Sequence, residues 1–152
     1  MLWFLRRLKT IGASVPVLLD IYKIFVRQSL ETAAPLWSSA LTTKNCQQLE
    51  RVQSLATALI LGPAPPPRSQ ARLRILSLPS LKSRRFDITK KFAEQISENP
   101  KYAHLFQRRK STNTRSGQQF VKPLCLTKRF KTSSIPAFID ILNKEKELAQ
   151  PS

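Results

Sequence analysis

The run Thr43–Leu61, TKNCQQLERVQSLATALIL, constrains the fold of this chain more than any other stretch. Cys46, Leu49, Val52, Leu55, Ala56, Leu59 and Ile60 recur mostly three or four apart, the spacing of one side of an α-helix. Lys44, Gln47, Gln48, Glu50, Arg51 and Ser54 take the other side. Thr42 or Thr43 offers the N-cap oxygen, and Gly62 followed by Pro63 supplies the stop. Such a helix is roughly 28 Å long, enough to span a small domain. From Leu55 to Leu61 it is apolar almost all round, so that end is expected to be enclosed by other elements.

Further helices are expected on both sides of it. Met1–Ile11 is short and amphipathic, with Leu2, Leu5 and Leu8 beside Arg6, Arg7 and Lys9, and ends at Gly12. Ser14 is placed to cap a second helix carrying Val15, Leu18, Leu19, Tyr22, Phe25, Val26 and Leu30, which must stop before Pro35. Pro65, Pro66 and Pro67 impose extended geometry, and a brief helical turn follows at Ala71–Leu76. Ser80 caps a helix over Leu81–Ser97 with Leu81, Ile88, Phe92 and Ile96 as its apolar line, closed by Asn99-Pro100. Ser134 and Pro136 open a last helix, with Ile135, Phe138, Ile139 and Leu142 as its stripe. The strand signal is confined to Gln119–Leu126. The fold class is therefore all-α: a helical domain over 1–100, a basic loop over 101–134, and a C-terminal helix and tail over 135–152.

Charge narrows the function. Twenty-six Lys and Arg against nine Asp and Glu give a formal net charge of +17, a field that attracts polyanions and displaces counterions from nucleic acid. No acidic residue occurs between Asn99 and Ser134. The candidate backbone-binding residues are Lys82, Arg84, Arg85, Lys90 and Lys91 on one helix, Arg108, Arg109 and Lys110 in the loop, and Lys128, Arg129 and Lys131 near its end. Aromatic residues suited to single strands are sparse among them: Tyr102, Phe106, Phe120 and Phe130.

Catalytic patterns do not assemble. His104 is the only histidine and has no acid close in sequence. The three glycines form no phosphate-cradling loop. Asp20, Asp87 and Asp140 fall on three different predicted helices, whereas two-metal chemistry needs converging carboxylates. Cys46 and Cys125 lie far apart without neighbouring ligands, so no metal or disulfide framework is expected, and no cofactor or small-molecule substrate is implied. Nothing approaches the roughly 18 apolar residues of a membrane span. The start of the chain, amphipathic and acid-free up to Asp20, imitates a mitochondrial presequence without the order of a signal peptide.

The segments LRRLK, VPVLLDIYKIFVRQSLETAAPLW, LERVQSLATALILG, LSLPSLKSRRFDITKKFAEQISENP and LCLTKRFKTSSIPAFIDILN follow one another from Leu2 to Asn143. In this order they resemble the C-terminal, thumb-like segment of reverse transcriptases of non-LTR (LINE-like, jockey-type) retrotransposons. The resemblance implies a helical domain that grips the RNA template and growing DNA behind an active site. It also implies that the catalytic palm, with its paired aspartates, precedes Met1, which accounts for the amphipathic start without a targeting role. Thr32, Ala58, Pro65–Pro67, Phe86, Leu126 and Ala137 depart from the family pattern and read as drift in a decaying element copy. Phe86 projects away from the Ile88 line and is expected to be exposed. The expectation is thus a truncated, non-catalytic fragment of an RNA-directed DNA polymerase, binding RNA or DNA backbone non-specifically. A basic RNA-binding protein of ribosomal type and a helical protein-interaction module, presenting the Thr43 helix or the last helix, are the alternatives.

Overall fold

The computed structural model describes residues 1–109 and 119–149, with 145–149 described by their backbone alone. Among these the protein is all-α. The helices are α1 (Leu2–Thr10), α2 (Val15–Ile21), a π-helical stretch (Tyr22–Arg27), α3 (Gln28–Glu31), α4 (Ala34–Trp37), α5 (Thr43–Leu61), α6 (Ser69–Ile75), α7 (Leu81–Glu98), α8 (Lys128–Lys131) and α9 (Ser134–Ala149), with 3-10 turns at Ser38–Ala40 and Pro100–Leu105. The chain divides into two compact units: Met1–Thr32 with Thr42–Arg84, and Ala33–Leu41 with the described residues from Arg85 onward.

The first unit is built on α5. Thr42 caps it by accepting the Asn45 N–H at 3.2 Å, and Gly62 ends it at a φ of 108°. Two of its last carbonyls, those of Leu59 and Ile60, accept from the Lys9 ammonium. A cation there also complements the negative end of the helix dipole. Leu5, Leu18, Tyr22, Val26, Ala56, Ile60, Leu76 and Leu78 form the core. The C-terminal half of α5 is not enclosed all round as expected, because Leu55 is 49% exposed. The buried line is Gln53, Ala56, Thr57 and Ile60, four positions that follow the helical repeat and place Leu55 outside it.

Burying Gln53 is possible because both ends of its amide are used. Nε2 donates to the Pro79 carbonyl at 3.1 Å, and Oε1 accepts the Leu81 N–H at 3.2 Å. The next amides of α7 are met likewise, Lys82 N–H by Glu50 at 2.8 Å and Ser83 N–H by Ser80 at 3.1 Å. Three of the donors that a helix start leaves unpaired are thereby satisfied. Arg72 does the same for the proline run. Its guanidinium donates to the Pro66 and Pro67 carbonyls at 2.6 and 3.2 Å, and to Ser54 Oγ at 2.5 Å. A fork with five donors suits a segment whose prolines offer only acceptors.

Ser14 stands at the start of α2 but makes no side-chain cap bond; Pro16, in the first turn, has no N–H to give. The helical path continues through the π-helical stretch to Glu31, then breaks at Thr32 and at Ala33, whose φ is 52°. Phe25, expected on the apolar face, is exposed, whereas Tyr22 is 0% exposed.

In the second unit Ala93, Phe106, Phe120, Phe138, Ile139 and Leu142 make the core. Phe92 meets Phe138 edge to face at 5.8 Å, and Phe106 meets Phe120 at 5.9 Å. The fully buried line of α7 is Leu81, Arg85, Thr89 and Ala93, one residue in each turn, and Ile88, Phe92 and Ile96 are only half-buried beside it. The strand signal at Gln119–Leu126 amounts to one antiparallel bridge between Arg108 and Phe120, and Leu124 and Leu126 lie in solvent. Asn143 of α9 fastens that bridge: Oδ1 accepts the N–H groups of Gln119 and Phe120 at 3.1 and 3.0 Å, and Nδ2 donates to the Phe120 carbonyl at 3.1 Å.

Two predictions follow from these buried polar groups. Asn143→Leu strands three backbone groups and should lower stability by about 2–4 kcal/mol, read by thermal or urea unfolding. The Tyr22 hydroxyl is buried without a hydrogen-bond partner among the described residues, and burial pushes its pKa up from 10 to about 12. The folded state therefore keeps a proton that the unfolded state loses. This contribution to stability is intact below pH 10 and lost as pH rises towards 12, on the order of 2 kcal/mol in all. In a Tyr102→Phe background, tyrosinate absorbance of the folded chain should rise near pH 12, against pH 10 for the unfolded chain. Tyr22→Phe should remove that alkaline step and match or exceed the wild type in stability at neutral pH.

Candidate nucleic-acid interface

The expected basic residues divide by what their side chains touch. Arg84 is committed to the fold. Its Nε and Nη2 donate to the two Glu31 carboxylate oxygens at 2.5 and 2.9 Å, the two-pronged geometry that suits a guanidinium. The Glu31 side chain is buried, and Arg27 approaches the same carboxylate at 4.0 Å. Arg85 is only 4% exposed, because the helical repeat sets it between Leu81 and Thr89 on the inner line of α7. Its Nη1 is buried with no hydrogen-bond partner among the described residues. Arg85 is thus withdrawn from the surface, and the half-buried Arg84 guanidinium is already matched by the Glu31 carboxylate.

Others do lie at the surface. Lys82 and Lys91 are exposed on α7, and Lys90 is half-buried. Arg108 and Arg109 are exposed beside the bridge, where the Arg109 N–H donates to the Gln119 carbonyl at 3.0 Å. Arg108 also lines a cavity of about 230 Å³ with Glu94, Ser97 and Glu98, so two carboxylates share its surroundings. Lys110 lies outside the described residues.

Lys128, Arg129 and Lys131 form the densest group. All three are exposed on the single turn of α8, with no carboxylate partner among the described residues. The sequence TKRFKTSS explains why a turn forms there. Thr127 caps it by accepting the Phe130 N–H, and the Thr132 and Ser133 hydroxyls donate back to the carbonyls of Lys128, Arg129 and Phe130. Of the aromatic residues between these cations, Phe106 and Phe120 are core, whereas Tyr102 and Phe130 stay partly exposed. Lys101 stands 5.9 Å above the Tyr102 ring.

The carboxylates are dispersed. Asp20 faces Lys23 at 3.6 Å and Asp140 binds Lys122 at 2.6 Å. No group of three or more His, Cys, Asp or Glu able to hold a metal occurs among the described residues. His104 is exposed in the 3-10 turn, and both cysteines are free. No helix of the described residues is long and apolar enough to cross a membrane.

Sequence reading missed an apolar surface on the first unit. Trp3 and Phe4 of α1 and Ile24 and Phe25 of the π-helical stretch are exposed, and Phe4 and Phe25 meet edge to face at 6.5 Å. Apolar spacing had placed Phe25 inside; the π-helical turn carries it out. Phe86 is exposed, as expected.

Removing a partner from the Glu31 cluster leaves charge without compensation. Glu31→Ala should lower unfolding stability by about 3 kcal/mol, whereas Lys91→Ala should change it by less than about 0.5 kcal/mol. Urea unfolding of both variants checks the division between fold-holding and surface cations.

Comparisons with protein-family models, curated proteins and solved structures find no match to this chain.

Proposed function

We propose that this protein is a non-catalytic, thumb-like segment of non-LTR retrotransposon reverse-transcriptase type that holds RNA or DNA through its phosphate backbone. The observation that carries the proposed binding is the group Lys128, Arg129 and Lys131 on one hydrogen-bonded turn, without a carboxylate partner among the described residues, in a stretch from Asn99 to Ser134 without an acid. Lys82, Lys91, Arg108 and Arg109 add exposed charge along the chain. The family origin rests on the order of the five sequence segments. A role without catalysis is consistent with Asp20, Glu31 and Asp140 each engaged in a separate ion pair with lysine or arginine. In a polymerase the partner of such a segment is a palm domain supplying the metal-binding aspartates.

Contacts of this kind are electrostatic and largely indifferent to base sequence. Binding of the purified chain to a labelled RNA–DNA hybrid should weaken steeply between low and physiological salt. The logarithmic slope should correspond to several neutralised phosphates. Replacing Lys128, Arg129 and Lys131 together by Gln should flatten that slope with the helical spectrum retained. A flat salt response of the wild type would remove the reading.

A second reading, a helical protein-interaction module, is favoured by Trp3, Phe4, Ile24 and Phe25 rather than by α5 or α9. These exposed apolar side chains would support association that salt does not weaken. Sedimentation of the wild type and Trp3→Ser across the same salt series separates the two readings.

A further inference from the structure

The second unit contains an open cavity of about 260 Å³ walled by Leu105, Val121, Pro123, Phe130 and Ile135, with His104 in its polar lining. Its volume lies just under the roughly 300–1,000 Å³ of pockets for drug-sized ligands, which suits one planar ring system. Phe130 is 41% exposed, and its backbone is held in place. Its N–H is bound by Thr127 at 3.2 Å and its carbonyl by the Ser133 hydroxyl at 2.7 Å. The residues on either side of it, Lys128, Arg129 and Lys131, carry positive charge with no carboxylate partner among the described residues.

An exposed aromatic ring in a largely apolar cavity, flanked by cations without a carboxylate partner among the described residues, complements a ligand that is planar in one part and anionic in the next. A nucleotide in a single strand has that build, and every base offers a π-face. A duplex does not, since its bases are already stacked on one another. An apolar peptide or acyl chain would fill the slot but leave the three cations unused.

We propose that this cavity seats one unpaired base of single-stranded RNA or DNA, stacked on Phe130, with the adjoining phosphates held by Lys128, Arg129 and Lys131. The inference rests on the nucleic-acid reading above and adds to it a base contact and a preference for single strands.

Fluorescence anisotropy of the full chain with three short labelled probes tests this: an oligothymidylate, the same backbone with abasic sites, and a duplex of equal length. The oligothymidylate should bind most tightly. Phe130→Ala should weaken it by about five- to a hundredfold, leave duplex binding and the salt slope unchanged, and bring it level with the abasic strand; Phe130→Trp should restore it. Equal binding of the abasic strand and the oligothymidylate by the wild type would overturn the base seat while leaving backbone binding standing. That arm uses the unmodified chain, so it decides even if Phe130→Ala fails to fold. Failure of the wild type to bind any probe at low salt would overturn both readings together.

Discussion

The first unit depends on one buried amide. Gln53 sits in the core side of α5, where a leucine would be the ordinary occupant, and is tolerated because its carbonyl and its NH₂ both find backbone partners at Pro79 and Leu81. A leucine there would strand the Leu81 N–H at a helix start and the Pro79 carbonyl, each buried polar group costing about 1–3 kcal/mol. Glu50 and Ser80 extend the same arrangement to the next two amides. α7 therefore begins where side chains from α5 and the preceding turn meet its free donors, and its register fixes which basic residues face in or out.

That register is where sequence reading succeeded least. Helix positions, the Thr42 cap and the Gly62 stop were legible because they rest on local chemistry. The inner line of α7 was not, because apolar spacing points to Ile88, Phe92 and Ile96, whereas the buried line includes Arg85 and Thr89. An arginine on a buried line carries no distinguishing mark in sequence. The Glu31–Arg84 pair spans fifty-three positions, so neither residue's neighbours disclose it. α8 was missed as well: the sequence reading ran a basic loop over 101–134, whereas Thr127, Thr132 and Ser133 bond to the backbone of Lys128–Lys131 and close one helical turn inside it.

The net charge of +17 consequently overstates the charge a polyanion meets. Lys9, Arg72, Arg84 and Arg85 face helix ends, proline carbonyls, a carboxylate or the interior. Lys122 is matched by Asp140. What remains exposed is fewer cations than composition implies, and three of them share the single turn of α8. Total charge governs long-range attraction, whereas this smaller set governs contact.

The inward cations are mainly arginines, as suits planar, multiply hydrogen-bonded sites, and Lys9 is the exception. The outward set on α7 and α8 is mainly lysine: Lys82, Lys91, Lys128 and Lys131. Acetylation neutralises lysine and leaves arginine untouched. The chemistry of the two side chains therefore separates control of the surface from maintenance of the fold. An acetyltransferase acting on these four lysines would lower surface charge stepwise, while the guanidinium bonds of Arg72 and Arg84 kept the first unit in place.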